Sequence, residues 1–406
     1  CGQSAFDDRA ARAWSRSAGA PDGISSATYA VSLTTVDREQ PGATVVVAGS
    51  GPSSLSTLSY DVGGELEMHG VDVDGGFPDA PVMAGSLDPV TGGNGVVAVA
   101  DGAGAVLFFD ARTGDLGPAF RVSVPAEACG AAPTFGTALL FALTDPDEDV
   151  EPDLVALADD QLVVLRDLDL DKIDQDIPPD CARCSLPDGA AVALAAGAVD
   201  DDDGEDIAAL AATGKRISIF TAEQVRAAAG AGCGEPLVVL TPPAADDSFA
   251  PPMSIGDIED NDAPEIAVAS IDHRVVYIFH DVSGGAPGVI PIPAPADSAA
   301  FGTSIAFGDF DGDEIEELAV GDPLASPEGV AGAGQVTLYR FEGGELKPEA
   351  TLYDSEPEEG QHFGRSLDVA EFGLGGAEYR DLLVVGASGE VFTYFRVTAA
   401  TEDPRS

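Results

Sequence analysis

One short apolar segment recurs along the chain, and that recurrence limits the possible folds more than any other feature. It begins at Val45, Val96, Leu154, Ile207, Ile266, Leu318 and Leu382, at intervals of 51, 58, 53, 59, 52 and 64 residues. Each copy ends in small or turn residues, as in Leu318-Ala-Val-Gly321, Ile266-Ala-Val-Ala-Ser270 and Leu154-Val-Ala-Leu-Ala158. Apolar runs this short, bounded by turn residues, read as buried strands. A second strand of bulky β-formers follows after a turn, as in Val275-Val-Tyr-Ile-Phe279, Val336-Thr-Leu-Tyr339 and Val391-Phe-Thr-Tyr-Phe395. A further strand precedes the turn, as in Thr303-Ser-Ile-Ala-Phe307 and Met253-Ser-Ile255. A fourth, more variable segment closes most units, as in Leu237-Val-Val-Leu240.

A repeat of this period, with about four strands per unit, predicts an all-β fold: a seven-bladed β-propeller of four-stranded blades over residues 28–400. One blade cannot bury both of its faces, so its neighbours must cover it. Ala and Gly in the inner strands suit close backbone approach near the axis. The alternative, a solenoid, usually has a shorter period. The 48 Gly and 29 Pro match the demand for tight turns, and the single Trp14 counts against propellers built on repeated tryptophans. The last unit stops after its third strand, near Phe395 to Thr398, so ring closure is expected to borrow a strand from residues 12–27. Residues 1–27 are expected to be a tether plus this closing segment, and residues 401–406 a tail. Residues 222–232 are expected to hold one short helix.

Four of the turns that precede the recurring strand share a nine-position spacing. The clearest places Asp309, Asp311, Asp313 and Glu317 at positions 1, 3, 5 and 9, with the Ile315 carbonyl at position 7. A second has Asp257, Glu259, Asn261, the Ala263 carbonyl and Glu265. A third has Asp145, Asp147, Asp149, the Glu151 carbonyl and Asp153. The fourth keeps Asp200, Asp202, the Gly204 carbonyl and Asp206 but has Ala198 at the first position. In a tight loop, alternate side chains converge, and an oxygen-only cage suits Ca²⁺. Three or four Ca²⁺ ions are expected. The turns near Asp37, Asp88 and Glu371 lack the carboxylate set and are expected to be metal-free. These loops are shorter than EF-hands and lead into strands rather than helices.

Phe301-Gly302, then Gly308-Asp-Phe-Asp-Gly-Asp313, then Leu318-Ala-Val-Gly-Asp-Pro323 resembles an FG-GAP repeat, the blade unit of integrin α-subunit propellers and of bacterial FG-GAP or VCBS-type proteins. Phe135-Gly136 and Phe363-Gly364 repeat the opening pair, and residues 256–266 resemble the bacterial form of the loop. The resemblance is strong in the fifth and sixth units and poor in the first two. It implies a seven-bladed propeller with Ca²⁺ held in turns on one face. Glu317, Glu265 and Glu259 depart from the family's usual shorter acids.

Charge then sorts the function classes. The chain has 71 acidic and 19 basic residues, a formal net charge of −52. No nucleic-acid partner is expected, because such binders need a basic footprint, and the same balance argues against docking of the folded surface on anionic lipid. About a third of the acidic residues lie in the four turns. The hydrophobic fraction of 45% is enough for a packed core. A chain opening on Cys1, Gly2, Gln3 and Ser4 resembles a bacterial lipoprotein after signal cleavage, with lipidation at Cys1, and so a lipid-anchored place in the cell envelope is expected. Cys129, Cys181, Cys184 and Cys233 are expected to form two disulfides, with three connectivities open. No G-x-S-x-G elbow or P-loop is present, and His69, His273, His280 and His362 show no paired metal spacing. The expectation is a binding or scaffold module for an envelope protein, an outer-membrane complex or a glycan. The rivals are an envelope enzyme and an architectural subunit. Residues 324–334 are the candidate contact loop, set against an idle flexible loop.

Overall fold

In the computed structural model, the described residues are the strands between positions 28 and 185 and the segments 186–200 and 204–394. The last is broken at 260, 262, 271, 285, 297, 312, 314, 374–378 and 389. The described strands form antiparallel sheets of consecutive strands, five of them four-stranded. A representative sheet runs Ile305–Gly308, Glu317–Asp322, Gln335–Glu342, Glu345–Leu352. The sheet before it runs Phe249–Gly256, Glu265–Ser270, Val275–His280, Gly288–Pro293. The C-terminal sheet has three strands, Ser366–Gly373, Tyr379–Ala387 and Glu390–Tyr394. The first strands of successive sheets lie side by side, for example Phe249–Gly256 against Ile305–Gly308 and that strand against Ser366–Gly373. Thr28–Thr35 also packs against Ser366–Gly373, bringing the first and last sheets together. This is an all-β propeller built of four-stranded antiparallel blades.

The recurring apolar strand is the second of each blade, and the structure shows why it is apolar throughout. Every residue of Glu265–Ser270 and of Glu317–Asp322 is buried. Successive side chains of a strand point to opposite faces. Ile266 and Val268 join the core shared with the preceding sheet, whereas Ala267 and Ala269 join the core shared with the following one. Leu318 and Val320 face backward in the same way, and Ala319 faces forward. The forward side chains are small because the next blade brings a phenylalanine there. Phe301 packs in the core that holds Ala267 and Ala269, and Phe363 in the one that holds Ala319.

Each of these phenylalanines also meets its own third strand edge-on. Phe301 lies 6.4 Å from Tyr339, and Phe363 lies 5.0 Å from Phe392. The glycine after each has positive φ, +85° at Gly302 and +83° at Gly364. A Cβ on Gly364 would stand 2.7 Å from the Gln335 carbonyl oxygen of the preceding blade. The Phe-Gly pair is therefore the joint between blades: the ring fills the shared core and the glycine admits the neighbouring backbone.

Three local expectations are refined. The helix covers only Ala222–Arg226, closed by a capping box between Thr221 and Gln224. Residues Ala229–Gly232 leave it as a strand that pairs in parallel with Asp180–Ser185 of the preceding sheet. Next to that seam, Cys184 and Cys233 form a disulfide across 49 residues. Closing a loop of that length stabilises the fold by about 4 kcal/mol in the chain-entropy account. Cys181 is disulfide-bonded too, while Cys1, Cys129 and the expected ring-closing segment lie outside the described residues. In the last blade, Leu367 pairs with Val385 where Ile305 pairs with Val320. The structural counterpart of Leu318, which pairs with Phe307, is thus Leu383, which pairs with Val369, and not Leu382.

The end of residues 324–334 is bonded to the next blade. Ala331, Gly332 and Ala333 carbonyls accept hydrogen bonds from Gly360, His362 and Phe363 amides at 3.0, 3.0 and 2.8 Å. This loop is stitched to the start of the next blade, although Leu324 remains exposed. Replacing Phe363 by Ala is expected to cost about 3–5 kcal/mol, because the ring fills a core shared by two blades; equilibrium denaturation, read as a lowered midpoint, checks it.

Candidate metal centre

The described residues of the acidic turns at 257–265 and 309–317 share one pattern of side-chain-to-backbone hydrogen bonds. The position 1 carboxylate accepts from the position 5 amide, at 3.4 Å for Asp257 with Asn261 and 3.1 Å for Asp309 with Asp313. The position 5 side chain accepts from the position 7 amide, at 2.9 Å for Asn261 with Ala263 and 3.2 Å for Asp313 with Ile315. The position 9 carboxylate accepts from the position 2 amide, at 2.9 Å for Glu265 with Ile258 and 3.1 Å for Glu317 with Phe310. In the weaker turn, Asp206 makes the same closing bond to Val199 at 3.0 Å, plus bonds from the Asp200 and Ala222 amides. Asp145, Asp147, Asp149, Glu151 and Asp202 lie outside the described residues, as do Asp37 and Asp88; Asp200 and Gly204 are described.

Oxygens of Asp309, Asp311 and Glu317 come within 4.8 Å of one another. Among the described residues, this is the acidic group that converges as a metal set. Asp313 is more exposed and is drawn toward Arg340 instead. Glu265 and Glu317 are each only 1% exposed, and the Oε1 atom of each is buried without a hydrogen-bond partner. Burial raises Glu265 to about 8, helped by the Glu259 and Asp257 charges. Burial likewise raises Glu317 to about 8, with Asp311 adding to the effect. Dry, crowded carboxylates are costly when ionised, and a divalent cation removes that cost. The donor set is all oxygen and matches Ca²⁺ chemistry.

Four contributors escape a reading by turn spacing alone. Glu316, at position 8, reaches back to the preceding turn: its Oε2 accepts from the Asp257 amide at 2.7 Å, and its own amide donates to the Asp257 carbonyl at 3.4 Å. Asp381 repeats this with Asp309 at 2.8 and 2.9 Å. The glycine before each turn makes room, since a Cβ on Gly256 would stand 2.2 Å from Glu316 Oε2. Burial raises Glu316 to about 7, with Asp381, Asp257 and Asp309 contributing. Arg340 bonds Asp311 at 2.8 Å and also pairs with Asp313. Arg226, on the helix of one blade, pairs with the buried position 9 residue Asp153 of another at 3.0 Å. The ladder shows the regularity: Arg166, His280 and Arg340 each sit one residue past the third-strand partner of the recurring strand's first apolar residue.

The FG-GAP repeat family matches residues 301–339, which span the Phe-Gly joint, the turn 309–317 and the third strand. No curated protein sequence matches the chain significantly. Among solved structures, the chain is similar to BBS1N in complex with ARL6DN, soaked with mercury. That match has 14% identity and a TM-score of 0.59, over 93% of this chain and 95% of that one. The lead-soaked form of the same complex matches with 14% identity and a TM-score of 0.60, over 94% and 96%. At such identity the likeness concerns the fold.

Two outcomes are expected. Glu265 and Glu317 hold protons in the folded, metal-free chain up to about pH 8, but in the unfolded chain only up to about pH 4.5. The native state therefore binds more protons across that window, and metal-free stability falls as pH rises through it. Melting in chelator at several pH values, with Ca²⁺ restoring stability at the alkaline end, checks this. Glu316→Ala leaves the Asp257 amide without its carboxylate partner and is expected to cost about 1–3 kcal/mol, read by denaturant titration. The chain thus carries an FG-GAP repeat in a β-propeller fold, with a convergent acidic triad at the repeat's turn.

Proposed function

We propose that this chain is a calcium-stabilised, seven-bladed propeller that serves as a protein-binding scaffold outside the cytosol. The observation that carries the metal part is the convergence of Asp309, Asp311 and Glu317 in one turn, with Glu317 Oε1 buried and lacking a hydrogen bond. A bound Ca²⁺ would supply positive charge to these oxygens, and the chain's own residues do the rest. Positions 1, 5 and 9 hold the turn's shape, and Glu316 and Asp381 tie each turn to its neighbour. The metal's role in this reading is rigidity, since binding to the folded state alone adds to its stability.

Seven blades are supported by the side-by-side order of the first strands, from Thr28–Thr35 through Val82–Gly85, Phe135–Ala142 and Ala191–Gly197 to Ser366–Gly373 and back to Thr28–Thr35. A place in an oxidising compartment, with the bacterial cell envelope as our choice, is supported by the Cys184–Cys233 disulfide. A binding role is supported by the FG-GAP repeat and by a propeller of similar fold found in complex with another protein, ARL6DN. The partner in this reading is a protein with a basic face, complementary to the acidic surface. Calorimetry with CaCl₂, together with melting in chelator, tests the core of the proposal. Saturable Ca²⁺ binding and a melting temperature lowered by chelation are expected; no binding and no shift would remove calcium from the reading.

A further inference from the structure

The turn at 309–317 already has a cation beside it. Arg340 stands on the third strand, Gln335–Glu342, one residue past Tyr339, the ladder partner of Leu318. That register places its guanidinium over the turn. Nη1 lies 2.8 Å from Asp311 Oδ2 and 3.7 Å from Glu317 Oε1, while Nη2 pairs with Asp313 Oδ2. Asp311 and Glu317 are also two of the three residues whose oxygens converge within 4.8 Å. We propose that Arg340 is a built-in counter-cation of this turn that competes with a divalent metal for the same carboxylates and must be displaced when the metal enters.

The physical case has two parts. Calcium contacts its oxygens at about 2.3–2.6 Å, so an ion engaging Asp311 and Glu317 would lie within a few ångströms of the guanidinium. Like charges at that range in a partly buried site repel strongly. Conversely, the guanidinium does not satisfy the turn: Glu317 Oε1 is buried and lacks a hydrogen bond, because Nη1 stops 3.7 Å short of it. One oxygen therefore still favours a smaller, closer cation. The turn at 257–265 offers a contrast. The residue in the same register is His280, whose Nδ1 stands 3.9 Å from Glu259 and 3.2 Å from Asp281. Among the described residues, no arginine is seen forked across that turn as Arg340 is across 309–317. The two turns share a bonding pattern but differ, among the described residues, in whether a guanidinium is tethered beside them.

This inference rests on the calcium reading, and the experiment separates the two. Calorimetric titration of the full chain with CaCl₂ alone is done on the wild type, Arg340→Gln, Arg340→Lys and the double variant Asp309→Asn/Arg340→Gln, with circular dichroism confirming the fold. Arg340→Gln is expected to bind Ca²⁺ at one site about tenfold more tightly, equivalent to about 1.4 kcal/mol, and the double variant to lose that gain. Arg340→Lys keeps the charge without the planar fork and should fall between, deciding the matter if Arg340→Gln does not fold. Equal or weaker binding by the Arg340 variants, with Ca²⁺ still bound, overturns the competition and leaves the calcium reading standing. Absence of Ca²⁺ binding in every variant overturns both.

Discussion

Everything in this structure depends on one constraint: a four-stranded blade has two apolar faces and can cover neither by itself. The second strand of each blade carries that constraint most plainly, because it is buried on both sides. In the two sheets joined at Phe301 and Phe363, its backward side chains are large and its forward ones small, as in Leu318, Ala319 and Val320. The small ones leave space for the next blade's phenylalanine, and the following glycine lets the backbones close up. Where the Phe-Gly pair is present, at Phe301-Gly302 and Phe363-Gly364, it and the preceding blade's recurring strand are two halves of one joint.

The acidic turns solve a second problem at the edge of the same joint. A turn between buried strands must satisfy its amide groups without burying a long loop. Side-chain oxygens at positions 1, 5 and 9 do this locally, and the position 8 acid of the next blade satisfies the amide at position 1. The result is a dense group of acids in partly dry surroundings. That density is unfavourable unless positive charge is supplied, and the protein supplies some itself. Arg340 lies against one turn and Arg226 against Asp153 of another. The net charge of −52 is thus partly a consequence of how the turns are closed, and not only of an acidic exterior.

Much of this was legible before any coordinates. The second strands of the described blades overlap the apolar recurrence, with the first apolar position moved by one residue in the C-terminal blade. Of the turn at 309–317, Asp309, Asp311 and Glu317 converge, whereas Asp313 serves the backbone at Ile315 and the guanidinium of Arg340. Spacing within one segment reveals which side chains share a turn, but not which residues from another strand reach it. Arg340 is 23 to 31 positions from the carboxylates of its turn, and Glu316 is 59 from Asp257. Both are brought there by the ladder and by blade packing. The same limit applied to the cysteines, where spacing left three pairings open and the strand at Ala229–Gly232 put Cys233 beside Cys184.

The sequence by itself determined the repeating unit, because strand periodicity and turn chemistry are local and are written in consecutive residues. It also determined the positions of the nine-residue turns and the identity of the residues that shape them. Only the tertiary structure decided how those turns are charged and tied together. Whether a buried carboxylate meets a guanidinium, a neighbour's amide or an open oxygen site depends on groups that folding brings in from other strands and blades. Electrostatic interactions in dry surroundings are set by those few ångströms, and no spacing along the chain encodes them.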